Sequence, residues 1–199
     1  MSHILILYYS SGGKTRALAQ QIARGVESQG LEAILRTVPN VSPESEQVSP
    51  VVPDEGDCYV SMEDLEDCLG LVVGSPTRFG NMAAPLKYFI DQTSSTWMNG
   101  KLTDKPVSFF TSSSSLHGGQ ESTLLTMMIP FLHHGMLICG LPYNQTELLR
   151  TQSGGTPYGV SHWDGENNNF PISDSEKKLA IDQGKRIAAL AQQLANDNN

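Results

Sequence analysis

Pro76-Thr77-Arg78-Phe79-Gly80-Asn81-Met82 puts a guanidinium, an aromatic ring and a carboxamide into one short stretch. The apolar run before it, Leu69-Gly70-Leu71-Val72-Val73-Gly74, reads as a buried strand. A helix opens after it near Pro85, proline being favoured in the first helical turn. The stretch is therefore a loop at the carboxyl end of a strand, where open parallel sheets bind their ligands. A planar ring can lie against such a loop, with backbone N–H groups and Asn81 reading its polar edge. The plain alternative is an ordinary strand-to-helix connection.

Two further loops carry similar chemistry. Ser10, Ser11 and Thr15 supply hydroxyls, and Gly12, Gly13 and Lys14 supply backbone N–H groups, where a helix is about to start. The free N–H groups and dipole of a helix N-terminus suit an anion, most naturally a phosphate monoester; otherwise this is a Ser/Gly turn. Gly13-Lys14-Thr15 imitates the tail of a nucleotide-hydrolysing P-loop, but the leading glycine position falls on Tyr8, inside a strand. No Asp ends the third strand to hold magnesium, so that function class is set aside. The other loop, Ser112, Ser113, Ser114, Ser115, Leu116, His117 and Gly118, can meet a ring's second edge through its backbone, or simply be solvated.

His133 and His134 are adjacent, so on a helix they point about 100° apart and do not share a metal ion easily. One can face the ligand edge and donate to a bound carbonyl, or satisfy a carbonyl at the helix end. Trp97 lies in a polar stretch, either as a flat wall for a planar substrate or as simple packing.

The elements that hold these loops alternate. Ile4–Tyr9, Leu31–Val38, Leu69–Gly74, Val107–Phe110 and Met136–Cys139 have strand character. Helical spacing follows Thr15, Pro85 and Thr123, the last with Pro130 as a kink. Ser61 with Asp64, and Ser173 with Glu176, have N-cap spacing. Such alternation predicts an α/β fold of three layers, a doubly wound five-stranded parallel sheet in the order 2-1-3-4-5. All three loops then open on one sheet edge. One domain spans residues 1–199, with excursions near 39–57, 93–104 and 140–172.

The bulk numbers bound the rest. The 199 residues are 39% hydrophobic and 17% charged, enough for one substantial core. A net charge of -8 argues against nucleic acid as a partner. Cys58, Cys68 and Cys139 are scattered without a zinc spacing, as expected of reduced thiols in a cytoplasmic protein. No apolar stretch approaches the ~20 residues of a membrane span, and no signal peptide is expected.

Longer strings now stand out: Leu7-Tyr8-Tyr9-Ser10, Gly74 to Met82, Asp91-Gln92-Thr93 with Trp97, Gly118-Gly119-Gln120-Glu121, His133-His134-Gly135-Met136, and Gly154-Gly155-Thr156-Pro157-Tyr158-Gly159. In order and spacing the chain resembles, nearly end to end, the flavodoxin-like NAD(P)H:quinone oxidoreductases of the WrbA type, also called tryptophan-repressor-binding proteins. The resemblance implies one FMN per subunit, with Ser10 to Thr15 on its phosphate. Pro76, Thr77, Arg78, Phe79, Gly80 and Asn81 would flank its ring and ribityl chain, and Ser112 to Gly118 the remaining edge. It implies that Trp97 and His133 border a quinone pocket, His133 also near the flavin. Gly12 matches a position near the nicotinamide of NADH or NADPH. Homotetramers with sites completed by neighbouring subunits are implied too. Gly12 stands where many members carry an aromatic, and the serine loop is one residue longer than in the commonest version.

Two other readings compete: a flavodoxin passing single electrons to protein partners, and a regulatory partner of a DNA-binding protein. The Trp97 and GGTPYG segments weigh against the first, since a carrier needs no second substrate pocket. No basic patch supports the second.

Overall fold

A computed structural model of the chain describes residues 2–41 and 56–197. Most of the 39–57 excursion lies outside the described residues. The element order is β1 His3–Tyr8, α1 Lys14–Glu27, β2 Glu32–Thr37, α2 Met62–Asp67, β3 Gly70–Pro76, α3 Ala84–Asp91, α4 Ser94–Met98, β4 Pro106–Ser113, α5 Gln120–His133, β5 Leu137–Ile138, α6 Glu147–Arg150, β6 Val160–Trp163 and α7 Asp174–Asp197.

Every residue of β1, β3 and β4 is buried, as their unbroken apolar runs require of strands covered on both faces. The pleat sends alternate side chains to opposite faces. Leu5, Leu7, Val73 and Phe109 join Leu86, Phe89, Leu124, Met127 and Phe131 under α3 and α5. Ile4, Ile6, Val72 and Phe110 join Leu18, Ile22, Leu179 and Ile187 under α1 and α7. Two cores thus clasp one sheet.

The sheet order is β2-β1-β3-β4-β5, all pairings parallel, which is the expected 2-1-3-4-5 of the flavodoxin-like fold. The fifth position is shared. β5 pairs only with Pro106 and Val107 of β4, whereas β6 pairs with Phe110 to Ser113. The stretch expected as a single excursion over 140–172 therefore contains a helix and a returning strand. It departs and comes back at one point: Leu141 N–H donates to the Pro157 carbonyl at 2.8 Å. A Cβ on Gly140 would strike that same carbonyl oxygen. Hydropathy missed β6 because Val-Ser-His-Trp carries little apolar signal, although three of its residues are buried.

The 93–104 excursion likewise contains α4. Both anticipated caps are present. Ser61 and Asp64 bond reciprocally at 3.0 and 2.9 Å, and Ser173 and Glu176 at 3.2 and 2.7 Å. α5 starts three residues before the expected Thr123, because Gly119 at φ 97° turns the chain directly into it. Among the described residues, no helix is long and apolar enough to cross a membrane.

Candidate functional site

The loops after β1, β3 and β4 open on one rim and enclose a cavity of about 420 Å³. Ser10, Ser11, Gly12, Lys14, Thr15, Pro76, Thr77, Arg78, Ser112, Ser113, Ser114, Ser115 and Gly118 line it. The volume falls within the range of small-ligand sites.

The first loop ends in Gly13 at φ 81°, the N-cap of α1, with no side-chain cap and no acidic residue in the first turn. Ser10 Oγ takes the Arg16 N–H at 3.4 Å, and the N–H groups ahead of it, at the positive end of the helix, are left for an anion. A Cβ on Gly12 or Gly13 would meet nothing within 4 Å, so the backbone here fronts open space. Thr15 is buried and shares a hydrogen bond with Ser112 Oγ at 2.9 Å, joining the first loop to the third. Behind the loop, Tyr8 OH donates to Asp57 Oδ2 at 2.6 Å, and Arg16 Nε lies 3.7 Å from that oxygen. Burial, then the Asp57 hydrogen bond and charge, push the Tyr8 phenol far above its usual range. It stays a donor, and the first turn of α1 is tied to the end of β1.

The second loop is a two-residue hairpin. Arg78 N–H donates to Asn81 O at 2.8 Å, and Asn81 N–H returns to Arg78 O at 3.0 Å. Phe79 and Gly80 have φ 52° and 75°, the left-handed pair of a type I′ turn. An aromatic rarely adopts that conformation, and here it throws the Phe79 ring wholly into solvent. Arg78 turns the other way: its guanidinium donates to Thr77 O at 2.7 Å and Ser11 Oγ at 3.0 Å, spanning the second and first loops. Asn81 Oδ1 accepts from Met82 N–H at 2.8 Å. Beneath the hairpin, Thr77 Oγ1 donates to Gly119 O at 3.2 Å and shares a hydrogen bond with Thr123 Oγ1 at 2.6 Å. The second loop is thereby pinned to the third and to α5.

The third loop folds on itself. Ser113 Oγ donates to Ser115 O at 3.0 Å, and Gln120 Nε2 donates to the same oxygen at 2.9 Å. Leu116 and His117 form its exposed tip, outside the cavity lining.

Two lining residues have no counterpart in the sequence reading. Asp164 and Asn168, just past β6, complete the wall. The unperiodic run around them carried no signal of a returning strand that would bring them here.

His133 and Trp97 are brought together, but elsewhere. They line a second cleft of about 300 Å³ with Ile90, Asp91, Thr93, Ser94, Pro130 and His134. His133 is exposed and Trp97 about half exposed. His134, by contrast, is buried, its Nε2 2.9 Å from Thr93 Oγ1. Thr93 spends its one hydroxyl proton on Ile90 O at 2.7 Å, so it accepts from His134, which must carry its proton on Nε2. Burial, with the neighbouring His133 adding to it, holds the His134 pKa below the ordinary histidine value and keeps the ring neutral. Among the described residues, no three His, Cys, Asp or Glu side chains cluster as a metal site would require.

Comparison with known proteins agrees with the fold and gives the family. An archaeal flavodoxin shares the fold at TM-score 0.63, 16% identity, over 96% of this chain and 99% of its own. A flavodoxin, WrbA-like protein from Agrobacterium tumefaciens superposes at TM-score 0.71 with 24% identity, over 97% and 99%. At the level of sequence, an NAD(P)H dehydrogenase (quinone) from Sinorhizobium fredii is 40% identical over 98% of this chain and its own full length. Residues 3–143, which include all three rim loops, match the family model for NADPH-dependent FMN reductases. The chain belongs to the NADPH-dependent FMN reductase family.

Proposed function

We propose that the protein is a cytoplasmic, FMN-dependent NAD(P)H:quinone oxidoreductase working as a homotetramer. The observation that carries this reading is the polar cavity at the carboxyl edge of the sheet, headed by a helix start whose N-cap is glycine. One phosphate monoester fits the Ser10 to Thr15 cradle, where glycine backbone faces open space. The rim beyond it is long enough in loops, and held firmly enough by the Thr15–Ser112 and Thr77–Thr123 contacts, to grip a flat ring. FMN has that combination of parts.

When bound, FMN supplies two-electron transfer, taking hydride from NADH or NADPH and passing the electrons to a quinone. The chain positions and tunes. Ser10, Ser11, Thr15 and the N–H groups of Gly12, Gly13 and Lys14 hold the phosphate. Pro76 to Asn81 lie along the ring and ribityl chain, and Ser112 to Gly118 take the remaining edge. Backbone N–H groups at the ring's polar edge stabilise negative charge as it develops. Gly12 borders the nicotinamide. Trp97 and His133 form the quinone wall, His133 donating to a quinone carbonyl. Because those two line a different cleft from the rim of their own subunit, the reading has neighbouring copies completing each site.

The test is direct. Purified protein loaded with FMN should show oxidised-flavin absorption bands and oxidise NADH or NADPH steadily in the presence of benzoquinone. A protein that holds FMN but turns over negligibly on its own is a one-electron carrier, and the oxidoreductase reading fails.

A further inference from the structure

Lys14 opens α1 at the rim cavity, where a lysine is the expected counter-charge of a phosphate. Its ammonium is committed elsewhere. Nζ donates to Phe170 O at 2.7 Å and lies 3.5 Å from Asp164 Oδ1. Asp164 is buried, and its Oδ1 is closed to solvent and has no hydrogen bond among the described residues. The ammonium is the charge that this oxygen faces. Taking it away would leave a buried carboxylate uncompensated.

The residues that Lys14 holds form one turn past β6. Asp164 N–H donates to Ser113 O at 2.9 Å, which fixes the start of the turn to the sheet. Phe170 N–H returns to Asp164 O at 2.9 Å, and Asn168 N–H to Gly165 O at 3.0 Å. The Phe170 ring meets Trp163 edge-on with centroids 5.1 Å apart, and Trp163 Nε1 donates to Ser114 O at 3.2 Å on the third loop. Lys14 makes the matching tie to the start of α1. Asp164 and Asn168 line the rim cavity, so the turn is one of its walls. That wall lies beyond residues 3–143, the part that matches the family model.

We propose that Lys14 is a positioning residue: its ammonium latches the 164–170 turn against the rim cavity as a fourth wall, and stays there when the cradle is filled. The phosphate is then held by hydroxyls and backbone N–H groups, without the lysine's charge. The ligand's identity rests on the FMN reading above, whereas the latch can be read in ligand-free protein.

Amide hydrogen exchange followed by NMR reads the latch residue by residue, without ligand and with FMN. The amides of Asn168 and Phe170 report the turn. Val160 N–H, which donates to Gln183 Oε1 at 2.8 Å, reports the fold around it. Lys14→Met keeps the stem and removes the charge. It should speed exchange at Asn168 and Phe170 about tenfold or more and leave Val160 within about twofold. Lys14→Arg keeps a charged donor for both acceptors and should stay near wild type. By calorimetry, FMN should bind Lys14→Met about tenfold more weakly and Lys14→Arg within about threefold of wild type. Loading wild type with FMN should leave the two turn amides as slow as before, or slower.

Unchanged exchange at Asn168 and Phe170 in Lys14→Met overturns the latch, as do turn amides without protection in wild type. Faster exchange there on FMN loading means that the lysine leaves for the phosphate, and overturns it too. Equal losses in Lys14→Met and Lys14→Arg would assign the effect to packing of the stem rather than to the charge. A loosened turn with unchanged FMN affinity would overturn the positioning role. Should Lys14→Met not fold, Lys14→Gln is judged by the same readouts. Wild type that takes up no FMN sinks the FMN reading and the positioning role with it, while exchange in the ligand-free protein still decides whether Lys14 latches the turn.

Discussion

Glu176 shows how much one buried carboxylate can organise. Its Oε1 accepts from the N–H groups of Gly154 and Trp163 at 2.8 and 3.0 Å, and its Oε2 from Ser173 N–H and His162 Nδ1 at 2.7 and 3.0 Å. Burial alone would raise its pKa, but the His162 hydrogen bond and the backbone donors outweigh burial and lower it to about 2. The folded value lies below the unfolded 4.5, so the stabilisation is present above about pH 4.5 and lost as pH falls toward 2. Glu176→Ala should cost on the order of 3–5 kcal/mol at neutral pH, because four donors lose their acceptor. Urea melts of both proteins across pH should show that gap close between about pH 5 and 2; a gap independent of pH would refute the ionised-hub account. Thr93 offers a smaller test of the same kind. Thr93→Val keeps the shape but strands the buried Nε2–H of His134, while the Ile90 carbonyl keeps the Thr93 backbone N–H, at a cost of about 1–3 kcal/mol. Nitrogen NMR of wild type at neutral pH should report His134 as the neutral Nε2–H tautomer, and on acidification it should protonate later than an ordinary histidine, since its pKa is lowered. Either result would also fix how α4 and α5 present Trp97 and His133.

At the scale of elements, α1 and α7 meet backbone against backbone. A Cβ on Gly25 would overlap the Ile181 carbonyl oxygen, and one on Gly184 the Ile22 carbonyl oxygen. Gly to Ala inside a helix normally gains up to about 1 kcal/mol. Here the obstacle is another helix's backbone, so overpacking of about 1–3 kcal/mol should win, and more if the helices must part. Gly184→Ala should therefore lower the urea midpoint. It should also loosen FMN binding, since α1 begins at the proposed phosphate cradle; a stabilised variant would show that the helices do not touch there. Nothing in the sequence flagged these two glycines, whose helical pattern simply runs through them. What was legible follows the same logic. Unbroken apolar runs gave the core strands their order, and Gly and Pro punctuation gave the three rim loops, because those signals are local. β6, with Asp164 beyond it, was not legible. Its four residues hold two polar side chains that are buried only because the sheet returns to cover them. The split of Trp97 and His133 from the rim was equally invisible, since it depends on which side of α5 the last turn presents.

The two helical layers differ in exposed apolar surface, although α6, beside α7, also exposes Leu149 at 72%. Among the described residues, α1 and α7 expose no large hydrophobic side chain, whereas α3, α4 and α5 expose Tyr88, Trp97, Met98, Leu125, Ile129 and Leu132. Met98 is 73% exposed, Leu132 58% and Ile129 56%, on the layer that also bears the Trp97–His133 cleft. Scattered apolar residues are normal on any surface; their concentration on one layer is what marks an association face. With a net charge of -8 opposing self-association in general, contact through this layer must rely on apolar burial. Ile129→Glu with Leu132→Glu would place two charges where that burial occurs, without touching the rim cavity. Light scattering on the wild type should give the tetramer, and on the double variant smaller species. Because the rim cavity belongs to one subunit, the variant should still take up FMN. Its turnover with benzoquinone should drop about tenfold or more if Trp97 and His133 act on a neighbour's flavin. Dissociation with full quinone turnover would leave the tetramer standing but remove any need for it in catalysis. A variant that remains tetrameric would move the interface to another face altogether.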